Sequence, residues 1–220
     1  MEITPIPGET STFLESKIGG EAFSSEYIHD VLFNWSSDFR LLVQINFKEV
    51  PPLPPFPSEG ILQIYWERVE IPKSEIGGNF KVVYFNESEC SQVHFMPQQP
   101  LKTDYPLLQT PHRLVFSKRK MTIPICDFGV NDVYDEMFSN KQEIDDFENI
   151  YTRSYRKETD HRIGGIPSLF QQVYEDELLL LQLSIGCDIY FGTKLINFII
   201  SDRDLKLKNF GNVRHEIHSR

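Results

Sequence analysis

Short apolar runs with the length of a buried strand recur along the chain, separated by residues that favour turns. Residues 40–47 (RLLVQINF) and 176–184 (DELLLLQLS) are two such runs, and residues 61–71 (ILQIYWERVEI) continue with alternating positions. Residues 81–85 (KVVYF) follow a Gly-Gly-Asn turn and are β-branched and aromatic, which predicts a strand paired with the preceding one. The pattern favours a fold built mostly from antiparallel strands.

A proline-rich segment, residues 49–60 (EVPPLPPFPSEG), joins two of these runs. Proline has no N–H to donate to a sheet ladder, so the segment cannot continue either strand. We expect an extended connection that ends at Gly60.

The middle of the chain has a different period. In residues 132–157 the apolar positions Ile144, Phe147 and Ile150 follow a helical spacing, and Ser139 with Gln142 fits a capping box that opens the helix. Near the end of the chain, Ser201 or Asp202 is a candidate N-cap of a short helix. The predicted fold class is therefore α+β, with mostly antiparallel strands and a few helices.

One succession of motifs occurs twice, which predicts two diverged internal repeats. Each copy has a cation followed by Ile-Gly-Gly, then an apolar run with a single Gln, then an apolar run with a central amide. We place repeat one at about residues 13–90, a connecting helical segment at about 130–158 and repeat two at about 160–212, within a single domain of residues 1–220. The matched blocks are 17–20 with 162–165, 41–45 with 179–183, and 61–65 with 195–199.

The charge of the chain limits its partners. The formal net charge is −10, and the one compact basic run, Ser117 to Lys120, fits a solvated turn better than a phosphate-binding patch. We therefore expect no nucleic-acid partner. An acidic surface suits a basic protein partner.

Cysteine use and hydropathy indicate a compartment. The three cysteines, Cys90, Cys126 and Cys187, are scattered singly and form no CxxC, which favours a reducing cytoplasm. The longest apolar stretch is far shorter than a membrane helix, and residues 1–10 lack the pattern of a signal peptide. We expect a cytoplasmic protein without a membrane partner.

No sequence motif identifies a catalytic or metal site. GxSxG, GxxxxGK[ST] and HExxH do not occur, and His215 with His218 lacks a third ligand of known position. We therefore assign no catalytic residue, no metal ligand and no cofactor. Whether the protein is an enzyme stays open, and the absence of motifs favours a non-enzymatic role.

The ordered motifs resemble the YwqG-like family, a bacterial domain of unknown function. The resemblance rests on KIGG at 17–20, residues 41–66, HRIGGIPSLFQ at 161–171, LLLLQL at 178–183 and INFIISDRDLKLKNF at 196–210. It implies a single α+β domain with an internal repeat and no established reaction. Some relatives are encoded near secreted-toxin systems, which implies an immunity or toxin-accessory role.

One segment departs from the family pattern. The resemblance implies a tryptophan, a glycine and an aspartate ahead of the last strand of the second repeat, and this chain has Tyr190-Phe191-Gly192-Thr193 there. Any chemistry that depends on the aspartate would be missing from this protein.

The repeated cations, glycines and amides form one candidate site. Glycine permits positive φ, so each Ile-Gly-Gly can be a turn that the fold requires, and each amide can tie a strand to a loop. Alternatively, the turns form nests for an anion and the amides line a cleft between the repeats. The candidate ligand-binding residues are Lys17, Gly19, Gly20, Gln44, Gln63, Arg162, Gly164, Gly165, Gln182 and Asn197.

An acidic run in the helical segment forms a second candidate site. Its acids can be a solvated helix face or a surface for a basic protein. The candidate partner-binding residues are Asp145, Asp146 and Glu148. Our preferred hypothesis is a non-enzymatic protein-interaction role through this surface. The alternative is a small-anion binder or an enzyme without known motifs whose cleft lies between the repeats; the oligomeric state is not determined by the sequence.

Overall fold

The computed structural model describes residues 1–8, 12–24, 39–67, 79–90, 94–96, 111–119, 138–155, 161–165, 167, 176–184 and 194–219. Most of the regular structure in these ranges is antiparallel sheet, accompanied by a few helices. The strands are β1 (Glu2–Pro7), β2 (Lys17–Ile18), β3 (Ala22–Ser24), β4 (Phe39–Asn46), β5 (Ile61–Glu67), β6 (Phe80–Phe85), β7 (His94–Met96), β8 (His112–Ser117), β9 (Glu177–Ser184), β10 (Lys194–Ser201) and β11 (Arg214–Ser219). The helices are α1 (Glu87–Cys90), α2 (Lys141–Tyr155) and α3 (Asp202–Lys206), and residues Phe210–Asn212 form a 3-10 turn.

Two sheets are joined at Arg162. Six strands follow the order β1-β8-β2-β4-β5-β6, three follow the order β11-β10-β9, and β3 pairs with β7. Arg162 forms one bridge to Glu2 in β1 and another to Gln182 in β9, and this connects the six-stranded sheet to the three-stranded one. The pair β1–β8 therefore lies between two groups of strands, β2-β4-β5-β6 on one side and β9-β10-β11 on the other.

The main core lies on one face of the joined sheets. Ile18 on β2, Leu114 on β8, Ile3 on β1 and Ile163 beside Arg162 all belong to it, as do the large side chains Trp66 and Phe198. Neighbouring residues of a strand point to opposite faces, so residues 17, 113, 2 and 162 belong to the other face, which we call the outer face. A smaller apolar cluster covers part of the outer face at β4–β6 and consists of Ala22, Leu41, Ile61, Tyr65 and Phe85.

A β-bulge occurs at corresponding places in β4 and β9. The register of β4 against β5 skips Leu42, and the register of β9 against β10 skips Leu180. Both bulged residues and their successors, Val43 and Leu181, are buried in the main core. The bulge lets two consecutive side chains enter one face, which explains why these runs lack strict alternation.

The strand predictions are confirmed where the structure describes them. Residues 40–47 and 176–184 correspond to β4 and β9, and residues 81–85 form most of β6, which pairs with β5 as expected. Residues 68–71 and 190–193, which carried the end of the predicted alternation and the departure from the family pattern, lie outside the described residues.

The proline-rich connection turns and packs against the core. The N–H of Phe56 donates to the carbonyl of Leu53 at 2.8 Å, and both side chains contact the main core. The connection therefore contains a compact turn where an extended segment was expected, because two of its apolar side chains gain burial by folding back. The strand that follows begins directly after Gly60.

The helix predictions are confirmed with one correction. The long helix runs from Lys141 to Tyr155, but Ser139 is not its cap. The side chain of Asn140 accepts the N–H of Glu143 at 3.0 Å, and the Glu143 carboxylate accepts the N–H of Ser139 at 2.8 Å. The capping exchange is shifted by one residue because Asn140 is as good an N-cap as serine. Ser201 caps α3 as predicted, accepting the N–H of Asp204 at 3.0 Å.

Candidate ligand-binding site

Three of the predicted site residues lie in one row across β2, β4 and β5. Lys17 pairs with Gln44, and Gln44 pairs with Gln63. All three side chains are buried, with 3% of Lys17 and none of the two glutamines exposed. We call these residues the first row.

Hydrogen bonds connect the first row to the loop before β2. The Gln44 Nε2 group donates to the carbonyls of Phe13 and Glu15 at 2.7 and 2.8 Å. Gln63 Nε2 donates to Gln44 Oε1 at 2.8 Å, and the Tyr65 hydroxyl donates to Gln63 Oε1 at 2.8 Å. The two glutamines thus tie the strands to a loop, which is the structural role that a buried amide requires.

A second row has the same pairings on the other side of β1–β8. Arg162 pairs with Gln182, and Gln182 pairs with Asn197. Arg162 donates through its NH2 group to Gln182 Oε1 at 2.8 Å, and all three residues are buried. We call Arg162, Gln182 and Asn197 the second row.

Both Ile-Gly-Gly segments make turns of one kind. Gly19 and Gly20 have φ values of 65° and 75°, and Gly164 and Gly165 have φ values of 65° and 84°. Only glycine adopts two such values in succession without strain, which accounts for the repeated pair. The Gly19 N–H donates to Leu42 O at 2.9 Å, and a Cβ on Gly164 would lie 3.2 Å from Leu53. A sheet bond therefore occupies one of these N–H groups, and the proline-rich connection packs over the second turn.

The two rows are separated along the sheet. The strands β8 and β1 lie between Lys17 and Arg162. Through the strand pairings, Lys17 is aligned with Ile6 of β1, whereas Arg162 is aligned with Glu2, four residues away on the same strand. Strand spacing and rise imply a distance of about 20 Å between the backbone positions of the two cations. The ten predicted residues therefore form two separate clusters, and one small anion cannot contact both cations directly.

Arg113 is an additional residue beside the first row. It pairs with Lys17 across β2 and β8, and its side chain belongs to the outer face and is exposed. Ile6 and Val115 on the same face of β1 and β8 are 46% and 40% exposed, so the central pair is open there. No local motif surrounds Arg113, and only its register opposite Lys17 identifies it.

The positive charge of the buried Lys17 amine is only weakly compensated by the groups around it. Its one hydrogen bond in the described part of the chain goes to Phe13 O at 3.5 Å, and no described carboxylate oxygen lies within 4 Å of its Nζ. Burial lowers the pKa of Lys17 to about 8, although the charges of Glu21 and Glu15 raise it. The amine therefore titrates close to neutral pH, which is typical of a functional group and unusual for a lysine.

His161 connects the two groups of strands. Its Nδ1 atom accepts the N–H of Ser184 at 3.2 Å, and its carbonyl accepts the N–H of Ile3 at 2.9 Å. Burial, and secondarily the charge of His112, lowers the pKa of His161 to about 4. The ring is therefore neutral at neutral pH, as its role of acceptor at Nδ1 requires.

The sequence that contains both rows matches the model of a known family. The family model named Domain of unknown function (DUF1963) matches residues 16–218. The chain belongs to this family. The match begins one residue before Lys17 and includes both rows and Arg113, whereas β1 lies outside it. No curated protein matches the chain.

The acidic run of the family domain lies on α2. Asp145 and Asp146 are exposed, and Gln142 donates to Asp146 Oδ1 at 3.0 Å. On the same helix Phe147 contacts the ring of Phe138, with centroids 5.1 Å apart. The side chain of Glu148 lies outside the described residues.

Two further properties concern metals and membranes. Within the ranges that the structure describes, no three His, Cys, Asp or Glu side chains are grouped so that they could hold a metal ion. None of the described helices has the length and apolar character needed to cross a membrane.

Proposed function

We propose that this DUF1963 protein binds a small anionic ligand on the outer face of its sheet, at Lys17. The observation that carries the proposal is that Lys17 is 97% buried without a carboxylate partner among the described residues. A buried charge is costly unless an opposite charge compensates for it. A bound anion supplies that charge, and the open face of β1–β8 next to Lys17 gives the ligand access.

The proposed site rests on a duplicated scaffold. We propose that the two rows belong to diverged copies of one repeat, as in the YwqG-like family. Identical pairings support the duplication, Lys17-Gln44-Gln63 in one half and Arg162-Gln182-Asn197 in the other, and so do the bulges at Leu42 and Leu180. The proposed activity is ligand binding. If the protein also catalysed a reaction of the bound anion, it would be an enzyme without a known motif.

Native mass spectrometry tests the proposal on protein purified from its own host. We expect the wild-type chain to retain a small anion and the Lys17→Met variant, purified in the same way, to retain none. Methionine keeps the length and burial of the lysine side chain and removes its charge, so the fold is preserved. Wild-type protein that carries no anion, and whose Lys17 signal in NMR spectra does not respond to sulfate, acetate or phosphate, would refute the proposal.

A second candidate function is protein interaction through α2. It is supported by the exposure of Asp145 and Asp146 on a regular helix, in a chain of net charge −10. Such a surface attracts a basic protein, and an immunity or toxin-accessory role is one form of this function. Glu148 belongs to the same acidic run.

Charge reversal separates this candidate from ligand binding. The variant Asp145→Lys with Asp146→Lys should lose a basic protein that the wild-type chain captures from host lysate, whereas Lys17→Met should still capture it. A basic protein retained equally by both variants would count against the helix as the binding surface. Rescue of toxicity in cells that express the captured protein tests the immunity role.

We also propose that the protein works in the cytoplasm. The odd number of cysteines and their scattered positions support a reducing compartment. Cys90, the cysteine within the described ranges, is a free thiol.

A further inference from the structure

The two rows differ in the residue that is paired with the cation on the side away from the glutamine. Lys17 has Gln44 on one side and Arg113 on the other, whereas Arg162 has Gln182 on one side and Glu2 on the other. The backbone bonds that fix these neighbours also correspond: Leu114 N–H donates to Ser16 O at 3.0 Å, and Ile3 N–H donates to His161 O at 2.9 Å. One register position thus holds a cation in the first half and a carboxylate in the second.

In the second half the cross-strand neighbour of the cation is a carboxylate. Glu2 is the cross-strand neighbour of Arg162, and its carboxylate lies 3.5 Å from the guanidinium of Arg119. In the first half the corresponding neighbours, Lys17 and Arg113, have the same sign. Neither has an ion pair within the described part of the chain. Like charges directly opposite each other destabilise a sheet, and a bound anion would offset this repulsion.

We propose that the protein binds a single oxyanion group between Lys17 and Arg113, the pair that corresponds to Arg162 and Glu2 in the other half. The inference rests on the proposed ligand-binding function and specifies its site. The ligand is a small molecule with a carboxylate or a tetrahedral oxyanion, which accepts hydrogen bonds from the ammonium and the guanidinium together. Arg162, whose cross-strand neighbour is a carboxylate, takes no part in binding.

The open face around the pair gives access to such a ligand. Arg113 is exposed, so its guanidinium can meet the anion at the surface, while the buried Lys17 amine completes the site from below. The exposed side chains of Ile6 and Val115 lie on β1 and β8 beside the pair, where they can contact an apolar part of the ligand. Burial of the second cation explains why the site favours a group small enough to reach it.

Calorimetric titration with sulfate and with acetate tests the inference on the full chain. Sulfate represents a tetrahedral oxyanion and acetate a carboxylate, and the anion that binds more tightly identifies the ligand class. We expect Arg113→Gln to weaken binding about tenfold or more, which corresponds to the loss of one charge-assisted hydrogen bond. Arg119→Gln is the matched control on the same segment, and its affinity should stay within about twofold of wild type because Arg119 pairs with Glu2.

A second variant copies the arrangement of the other half. Arg113→Glu places a carboxylate opposite Lys17, and it should abolish binding of both anions while the fold persists, because residue 113 is exposed. If Arg113→Gln and Arg113→Glu bind as wild type does, while Lys17→Met does not, the inference is wrong and the ligand-binding function stands. If neither anion binds the wild-type chain, both proposals fail.

Discussion

Lys17 and Arg113 lie directly opposite each other on β2 and β8, one buried and the other exposed, and both belong to the outer face of the sheet. The corresponding neighbours in the other half, Arg162 and Glu2, have opposite charges. A fold selected for stability alone would favour the second arrangement in both halves. This difference is one reason for the proposal that Lys17 and Arg113 bind an anion.

Lys17→Met should stabilise the free protein at neutral pH. Folding lowers the pKa of Lys17 from 10.5 to about 8, so the unfolded chain binds the proton more tightly and the buried charge opposes folding below pH 8. The cost is up to about 3 kcal/mol at pH 7, and it disappears as pH rises from 8 to 10.5. Urea unfolding at pH 7 and pH 10.5 should show a wild-type stability that rises over this range relative to that of the variant.

A saturating concentration of anion should remove the difference in stability between wild type and Lys17→Met. An anion bound at Lys17 stabilises the charged amine, raises its pKa and adds binding free energy to the folded state. Urea unfolding of wild type in sulfate should therefore approach the stability of Lys17→Met at pH 7, and the variant should not respond. If wild type and the variant have the same free energy of unfolding in the absence of anion, the buried charge of Lys17 does not oppose folding.

Stability should fall in mild acid because of His161. Folding lowers the pKa of this ring to about 4, so the unfolded chain takes up a proton as pH falls below 6.5 and the folded chain does so only near pH 4. The contribution of His161 to the free energy of unfolding is present above pH 6.5. Up to about 3 kcal/mol of it is lost between pH 6.5 and 4. His161→Asn keeps an acceptor for the Ser184 N–H without titrating, and its unfolding free energy should vary less across this range.

Gly60→Ala should destabilise the fold by about 2 to 4 kcal/mol. Gly60 has φ of 85°, and a Cβ there would collide with the Tyr84 hydroxyl and lie 2.6 Å from Phe85 O. The collision would also displace the hydrogen bond from Tyr84 to Glu59 O. Gly211→Ala is the matched control, since its nearest neighbour is 3.6 Å away, and thermal unfolding of the two variants should differ clearly.

Tyr65→Phe should cost about 1 to 2 kcal/mol, because it removes a hydroxyl that donates to Gln63 within a buried chain of amides. The ring stays in the cluster on the outer face, so the change in the free energy of unfolding measures the contribution of this hydrogen bond. Tyr84→Phe removes a bond to a backbone carbonyl at a half-buried position and should cost less. Equal unfolding free energies for the Tyr65 variant and wild type would show that the amide row contributes nothing through this bond.

Much of the strand framework follows from local pattern. The runs around Gln44 and Gln182 are apolar on both faces and have strand length, so their burial and type could be read directly. The shared order of the motifs also aligns Gln44 with Gln182 and Gln63 with Asn197, and both pairs occupy corresponding register positions. The sequence alone predicts Ser139 as the cap of α2, one residue before the observed cap Asn140, because both residue types are good N-caps.

The sequence by itself determined the strands and the residues that recur, because side-chain periodicity and glycine requirements act over a few neighbouring residues. Only the tertiary structure decided how the halves meet. β8 pairs with β2, and β1 reaches the second half through Arg162, so Arg113 and Glu2 become the neighbours of the two cations. These contacts join residues far apart in the chain, and they depend on the packing of the whole sheet, which no local pattern encodes.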